Sequence, residues 1–342
     1  MHSSRLAAVV PIIFAFVTPG FALAWLDRDK AVIAHHKIPH GPLPREHHAH
    51  ASSITEAQDG TLIAAWFGGT RENHPDVKIW VSRKRSGENW SEPAMVDDGI
   101  RDVEGKPREF ACWNPVLFTH PDDGAIYLWY KITGEGREHG PKNWWGAVKT
   151  STDHGRTWSA RVWLPEVDPN RKANKVFQPY GYRATGPVKN RPIVMPDGSL
   201  LCGSSTESPH GWKTHFERYQ PGDWTGRKHG VTIHGPIMEG RSIQPSFVSL
   251  SDDKRRLGAF LRDDGYVDST DGGRTWTNVL DSPITTSKGL HAVTTKNHVH
   301  FLVYNPSSKR TPLGLARSFD GKKWEVAIAD LWSDGKQSMD YP

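Results

Sequence analysis

The residues of this chain that are equipped for chemistry stand at the ends of apolar runs. His50, Asn114, Lys189 with Asn190, Gln244, His291 and Tyr341 each open such a run. Thr70 to Glu72, Lys131, Glu207, Arg262 and Asn305 each close the run that follows. Gathered in one place they make a cleft rich in cations, amides and imidazoles that no packing need accounts for. That composition suits an anionic, hydroxyl-bearing ligand: a planar Arg fork grips a carboxylate with two parallel hydrogen bonds, and Lys adds a point charge. The formal net charge of +5 agrees in sign. Lys and Arg are spread without a dense basic run, so an acidic small molecule or glycan is the expected partner, and nucleic acid is not.

These residues lie far apart in the chain, so a repeated architecture has to bring them together. The repeat is visible. Ser151-Thr152-Asp153-His154-Gly155-Arg156-Thr157-Trp158 returns almost unchanged as Ser269-Thr270-Asp271-Gly272-Gly273-Arg274-Thr275-Trp276. A shortened copy runs from Ser318 to Trp324, and worn copies end at Trp90 and Trp224. Ser and Asp side chains bond the backbone of their own turn, Gly takes the positive φ it needs, and the closing Trp covers the neighbouring unit. Alternating apolar runs on both sides make each copy the turn of an antiparallel hairpin. The closing Trp residues are about 58 residues apart on average, the length of one four-stranded blade with its loops.

The eight-residue phrase resembles the Asp-box of the sialidase-like (BNR-repeat) β-propellers, and the resemblance covers nearly the whole chain after its first residues. It implies an all-β fold, a six-bladed β-propeller with the sixth blade incomplete, the text stopping at Tyr341-Pro342 where an inner strand should begin. Inner strands are expected at 49–56, 113–118, 191–195, 244–250 and 292–295, and second strands at 61–67, 125–131, 200–205, 257–262 and 299–304. Third strands are expected at 77–83, 146–151, 214–218, 266–269 and 313–318. Residues 29–36 are a candidate for the outer strand that closes the ring, and Pro165–Arg183 reads as a long loop of the kind that carries function.

The family frame also assigns roles. His50-Ala51-Ser52-Ser53-Ile54, Gly60-Thr61-Leu62-Ile63-Ala64-Ala65 and the loop from Gly68 to Asp76 match the opening blade of known sialidases. By that match Asp76 is the acid that protonates the leaving oxygen, Arg262 and Arg310 are carboxylate-binding arginines, and Tyr341 is the nucleophile. A neutral Tyr avoids pushing a second negative charge at the carbon that bears the sialic acid carboxylate. Two positions depart from the pattern: His50 replaces the first arginine, and Gln244 stands where a Glu should activate the Tyr. Glu207 is the candidate replacement base, and Asn114, Lys189, Gln244 and His291 complete the expected substrate-binding set.

Three readings follow: a sialidase-like hydrolase acting on an anionic terminal sugar; a polysaccharide lyase cleaving beside a uronate with a His50 or Tyr341 base and Arg262, Lys189 and Arg310 as cations; and a non-catalytic glycan-binding propeller, since fold alone does not fix activity. No cofactor and no metal is expected, because the six histidines from His35 to His50 lack a completing carboxylate or Cys. Arg5, the apolar Leu6–Phe21 and Ala22-Leu23-Ala24 read as a cleaved signal peptide. The expected domain is therefore residues 25–342, in a monomeric, secreted or periplasmic protein without a membrane span. Cys112 and Cys202, each in an apolar run, are expected as buried thiols rather than a disulfide.

Overall fold

The second strands read as nearly unbroken apolar runs, LIAAWFGG and IYLWYKIT among them, because each is covered on both faces. In the computed structural model they are the cores of five four-stranded antiparallel sheets. The structure describes residues 38, 48–133, 144–166, 183–208, 211–237 and 242–332. Blade one is β1 (His48–Glu56), β2 (Leu62–Gly69), β3 (Lys78–Lys84) and β4 (Ala94–Asp97). A hairpin, β5 (Ile100–Val103) and β6 (Lys106–Glu109), leads to blade two: β7 (Cys112–Thr119), β8 (Ile126–Thr133), β9 (Trp144–Ser151) and β10 (Val162–Trp163). Blade three is β11 (Ile193–Val194), β12 (Leu200–Ser208), β13 (Gly211–Tyr219) and β14 (Val231–Ile237). Blade four is β15 (Ile243–Ser249), β16 (Leu257–Arg262), β17 (Gly265–Ser269) and β18 (Leu280–Asp281), and blade five is β19 (Leu290–Thr294), β20 (His300–Tyr304), β21 (Leu313–Ser318) and β22 (Glu325–Trp332).

Each sheet pairs its strands in chain order, as a propeller blade does. The core lies between blades rather than within one. Ile63, Ile79 and Val81 of blade one meet Leu117, Leu128 and Tyr130 of blade two. Equivalent clusters join blades two and three, three and four, and four and five. Among the described residues, blades one and five do not share a cluster. Blade one packs Ala64, Trp66, Trp80 and Trp90 with Ile38, and blade five packs Phe301, Leu313, Leu315 and Ile328 by itself. This is a six-bladed plan with five blades complete among the described residues.

The boxes form as their residue types require. Ser269 Oγ donates to Asp271 (2.9 Å) and accepts from Gly273 N (2.8 Å). Asp271 also accepts from Arg274 N (3.0 Å), Thr275 N (2.9 Å) and Thr275 Oγ1 (2.6 Å). Asp153 repeats the pattern, and Asp320 keeps most of it. Trp276 then stacks on Phe216 of blade three, centroids 3.9 Å apart, and Trp324 meets Phe260 of blade four edge-on at 4.9 Å. An arginine from the preceding blade seals two of the boxes. Arg83 Nε donates to His154 O (2.8 Å), and Arg218 donates to Gly272 O at the same box position.

The strand forecast holds to within three residues in every blade, blade three included. There the ladder begins at Ile193, leaving Arg191 outside it. The β5–β6 hairpin and the short outer strands were not foreseen, since two to four residues carry too little periodicity to read. Both cysteines are free and buried. Glu166 and Arg183 bridge the base of the expected long loop. The proposed signal peptide, residues 29–36, residues 167–182 and Tyr341 lie outside the described residues.

Candidate functional site

Three inner strands carry the same irregularity near their start. Ala51-Ser52 lie opposite the single residue Trp66, Asn114-Pro115 opposite Tyr130, and Gln244-Pro245 opposite Leu261. Each is a bulge whose first residue is left-handed, with φ of 51° at Ala51, 39° at Asn114 and 58° at Gln244. Lys189, just ahead of β11, shares the conformation at 68°. A non-glycine residue held there is strained by about 1–3 kcal/mol, which the surrounding structure must offset. Bulges re-aim side chains and gather beside sites.

What offsets the strain is a set of bonds joining the inner ends of neighbouring blades. Ser53 Oγ, next after the first bulge, accepts from Leu117 N of blade two (2.9 Å). Ser246 Oγ, at the equivalent position, accepts from Ala292 N of blade five (2.8 Å). Asn190 Nδ2 of blade three donates to Gln244 O of blade four (2.8 Å). Between blades two and three the link is the fully buried Lys131, whose Nζ donates to Asn114 O (3.4 Å) and to Pro187 O. Burial lowers the Lys131 ammonium to about 7, against the raising effect of Glu217. Glu217, also fully buried, accepts from Thr185 N (2.9 Å), Gly186 N (2.8 Å) and Tyr219 Oη (2.7 Å), with His215 Nε2 at 3.1 Å. Burial pushes its carboxyl up, but these hydrogen bonds and His215 outweigh that and leave it below the usual range.

Chain direction sorts the predicted residues by rim. First strands start, and second strands end, at the rim opposite the boxes. His50, Asn114, Gln244 and His291 lie at or near first-strand starts; Arg262 ends β16; Asp76 lies in the β2–β3 loop and Arg310 in the β20–β21 loop. Arg262 pairs with Ile243, which places it beside the bulge at Gln244. Asn114, Lys189 and Gln244 are buried; His50, Asp76, Arg262, His291 and Arg310 are half-buried. His50 meets Phe67 edge-on at 5.5 Å. Glu207 belongs to β12, opposite Trp212, but its side chain is outside the described set.

The charges act in two groups. In blade one, Asp76 accepts from Thr70 Oγ1 (2.5 Å) and Thr70 N (3.1 Å), and His74 Nδ1 lies 2.7 Å away. Burial raises the Asp76 carboxyl, but the Thr70 bonds and His74 win and hold it below the usual range. At the inner ends of blades three and five, burial first and then the charges of Lys189 and Arg191 lower the His291 imidazole to about 3. It is therefore neutral at pH 7. Arg191 is the residue of this group that the sequence reading missed. Its place in a supposed strand hid it, whereas the ladder of β11 starts at Ile193.

A wall stands over the same rim at blade two. Arg101 of β5 lies 3.9 Å from the Phe110 ring centroid and 4.3 Å from that of Trp145, and Arg183 lies 4.2 Å from Trp145. Trp145 is thus engaged by protein cations, while Trp144 is buried against Trp113. Among the described residues no three His, Cys, Asp or Glu side chains are grouped to hold a metal ion.

The architecture is that of the sialidase-like propellers. The BNR repeat-like domain matches residues 60–342, and the chain belongs to that family. No curated protein matches it by sequence. Among solved structures it is similar to a protein of unknown function from Dyadobacter fermentans, with TM-score 0.61, 16% identity, and coverage of 84% of this chain and 82% of that one. It is also similar to the Hadza microbial sialidase, with TM-score 0.58, 18% identity, and coverage of 81% and 57%. For the intramolecular trans-sialidase from Ruminococcus gnavus, in complex with oseltamivir carboxylate, the values are 0.55, 13%, 82% and 83%. The chain thus spans little more than half of the Hadza enzyme, and at these identities the likeness is one of fold.

Proposed function

We propose that this protein is a secreted, carbohydrate-active enzyme of the sialidase-like glycoside hydrolase type, acting on an anionic terminal sugar. The observation that carries the reading is the cationic rim: Arg262, Arg310 and Lys189, with the neutral His291, at the end of the propeller where the inner strands open. Arg262 and Arg310 take the sugar carboxylate as planar forks. Asp76, an anion as Thr70 and His74 hold it, gains affinity for a proton when a substrate carboxylate is brought beside it. It then serves as the acid to the leaving oxygen, with Tyr341 as the nucleophile.

One observation favours the lyase as second reading. Gln244 is an amide where a base is wanted, whereas the His50 imidazole stands near the start of β1, on the rim that also carries Arg262 and Arg310. In that chemistry the imidazole takes the proton α to a uronate carboxylate, the electron pair forms the new carbon–carbon double bond, and the glycosidic oxygen departs. The cations stabilise the intermediate charge.

One preparation assayed on a fluorogenic sialoside and on uronate polysaccharides decides between them. Free N-acetylneuraminic acid supports the hydrolase, and an unsaturated uronate absorbance supports the lyase. Saturable binding without turnover leaves a glycan-binding propeller. Tyr341→Phe should abolish turnover; retained activity removes Tyr341 from either mechanism. Export is tested by the N-terminus of the extracytoplasmic protein, expected at Trp25.

A further inference from the structure

The loop from Thr70 to Val77, between β2 and β3, is held by its own backbone and by blade two. Val77 is buried in the core between blades one and two, and its carbonyl accepts from Cys112 N at the start of β7 (3.0 Å). Within the loop His74 N donates to Arg71 O (3.1 Å) and Val77 N donates to His74 O (3.0 Å), while Asn73 is left-handed with φ of 68°. Gly69 makes room for the Asp76 carboxylate: a Cβ there would stand 2.7 Å from Asp76 Oδ1. The turn thus brings His74 and Asp76 face to face on the rim where second strands end.

The contact between these two side chains needs a proton. His74 Nδ1 lies 2.7 Å from Asp76 Oδ1, and both side chains are half-buried. Two bare lone pairs would repel at that distance, so a hydrogen lies between the atoms. Thr70 N donates to Oδ1 (3.1 Å) and Thr70 Oγ1 to Oδ2 (2.5 Å), which favours the charged carboxylate and leaves the hydrogen on the imidazole. Asp76 N, 3.3 Å from Nδ1, is the competing partner, but it is farther away and uncharged. With Nδ1 spent on Asp76, the nitrogen left to work is Nε2, which has no hydrogen-bond partner among the described residues. The bond made by one ring nitrogen sets what the other can do, and an imidazole oriented by a third group is the arrangement of many acid–base sites.

We propose that Thr70, Asp76 and His74 form an orienting chain that presents His74 Nε2 to the rim as an acid–base group of the site. The inference rests on the hydrolase reading and deepens it by moving one role: His74 carries the proton that reaches the leaving oxygen, and Asp76 orients the ring and balances its charge. Histidine suits the task because its charge changes near neutral pH, whereas a carboxyl held below its usual range seldom has a proton to give. As the glycosidic C–O bond breaks, its electron pair goes to the oxygen, which takes the Nε2 proton. The neutral ring then takes a proton from the incoming water as the water oxygen bonds the anomeric carbon. Water is thereby added across the glycosidic bond and the imidazolium is restored.

Two measurements test it. The first is NMR of the histidine ring nitrogens at about pH 8, where an ordinary imidazole is neutral, with the His74 signals assigned by their loss in His74→Gln. The ring should carry its hydrogen on Nδ1 in the parent protein and on Nε2 in Asp76→Ala; an Nε2–H ring in the parent overturns the proposal, and no substrate is needed to see it. The second is kinetics on two sialosides: a fluorogenic aryl glycoside, whose leaving oxygen needs little help from a proton, and sialyllactose, whose sugar leaving group needs it. His74→Gln should lower kcat about a hundredfold or more on sialyllactose, the size of a general-acid contribution, and less than about tenfold on the aryl glycoside. Adding Asp76→Ala to His74→Gln should cost little more, since the pair acts as a unit. Equal losses on both sialosides, or none, mark a merely structural His74 and overturn the proposal. Absence of turnover on every glycan removes the hydrolase reading instead, and the tautomer still decides whether the chain of bonds exists.

Discussion

Arg262 and His291 stand on one rim in different roles. Arg262 is half-buried and pairs across from Ile243 at the bulge. Arg262→Ala should therefore raise KM for an acidic substrate about ten- to hundredfold with a smaller change in kcat, as loss of a charge-assisted contact implies. Steady-state kinetics on whichever of the assayed glycans is turned over will check it. His291 is neutral, its imidazole lowered to about 3 by burial and by Lys189 and Arg191. For a base with a depressed folded value the unfolded chain takes up the proton first. Stability should accordingly fall as pH drops from the ordinary value of about 6.5 toward 3. His234, lowered to about 4 mainly by burial, acts in the same direction. Urea melts between pH 7 and 4 should show a shallower decline in His291→Gln than in the parent protein.

At the scale of the element, the box is a self-contained turn whose Asp gathers every bond that closes it. Asp271 is held at about 2: burial raises it, and Thr275, Ser269 and Arg274 outweigh that. Its stabilisation is present above the ordinary carboxylate range and is lost only as pH falls through about 2, below the histidine window. Asp271→Ala should cost about 1–3 kcal/mol in a urea melt while leaving anion binding at the far rim intact. Gly273 illustrates why the box cannot drift. At φ +80° it already excludes most side chains, and a Cβ there would lie 2.6 Å from Leu201 of blade three. At Gly222, φ +69°, a Cβ meets nothing within 4 Å. Gly273→Ala should therefore destabilise more than Gly222→Ala, a comparison of two melting curves.

At the scale of the whole molecule, the ring holds because side chains of one blade complete the backbone of the next. Ser246→Ala leaves Ala292 N without its acceptor and should lower stability by about 1–3 kcal/mol, read in a denaturant titration. Since the same bond positions β15 against β19, the mutation should also weaken ligands that touch both Gln244 and His291. The blades, their order and the rim they share were legible in the text, because apolar runs and turn residues report contacts made a few residues apart. Ser53, Ser246 and Arg191 were not. Nothing in their neighbours announces a bulge, a link between blades or a side chain laid over a ring of the next blade.

Sequence alone thus determined the repeated hairpin, since Ser151, Asp153, Gly155 and Thr157 satisfy one another within a single turn and need no distant partner. It also determined which residue types were on hand for an acidic ligand. Tertiary structure alone decided which of them meet and in what state of charge. Asp76 is held below the usual carboxylate range because Thr70 and His74 face it, the His291 imidazole is lowered chiefly by burial, and Arg191 lies over the Phe118 ring of blade two. Those outcomes depend on which blades stand side by side and on the burial that their packing brings, and neither is written in any local stretch of the chain.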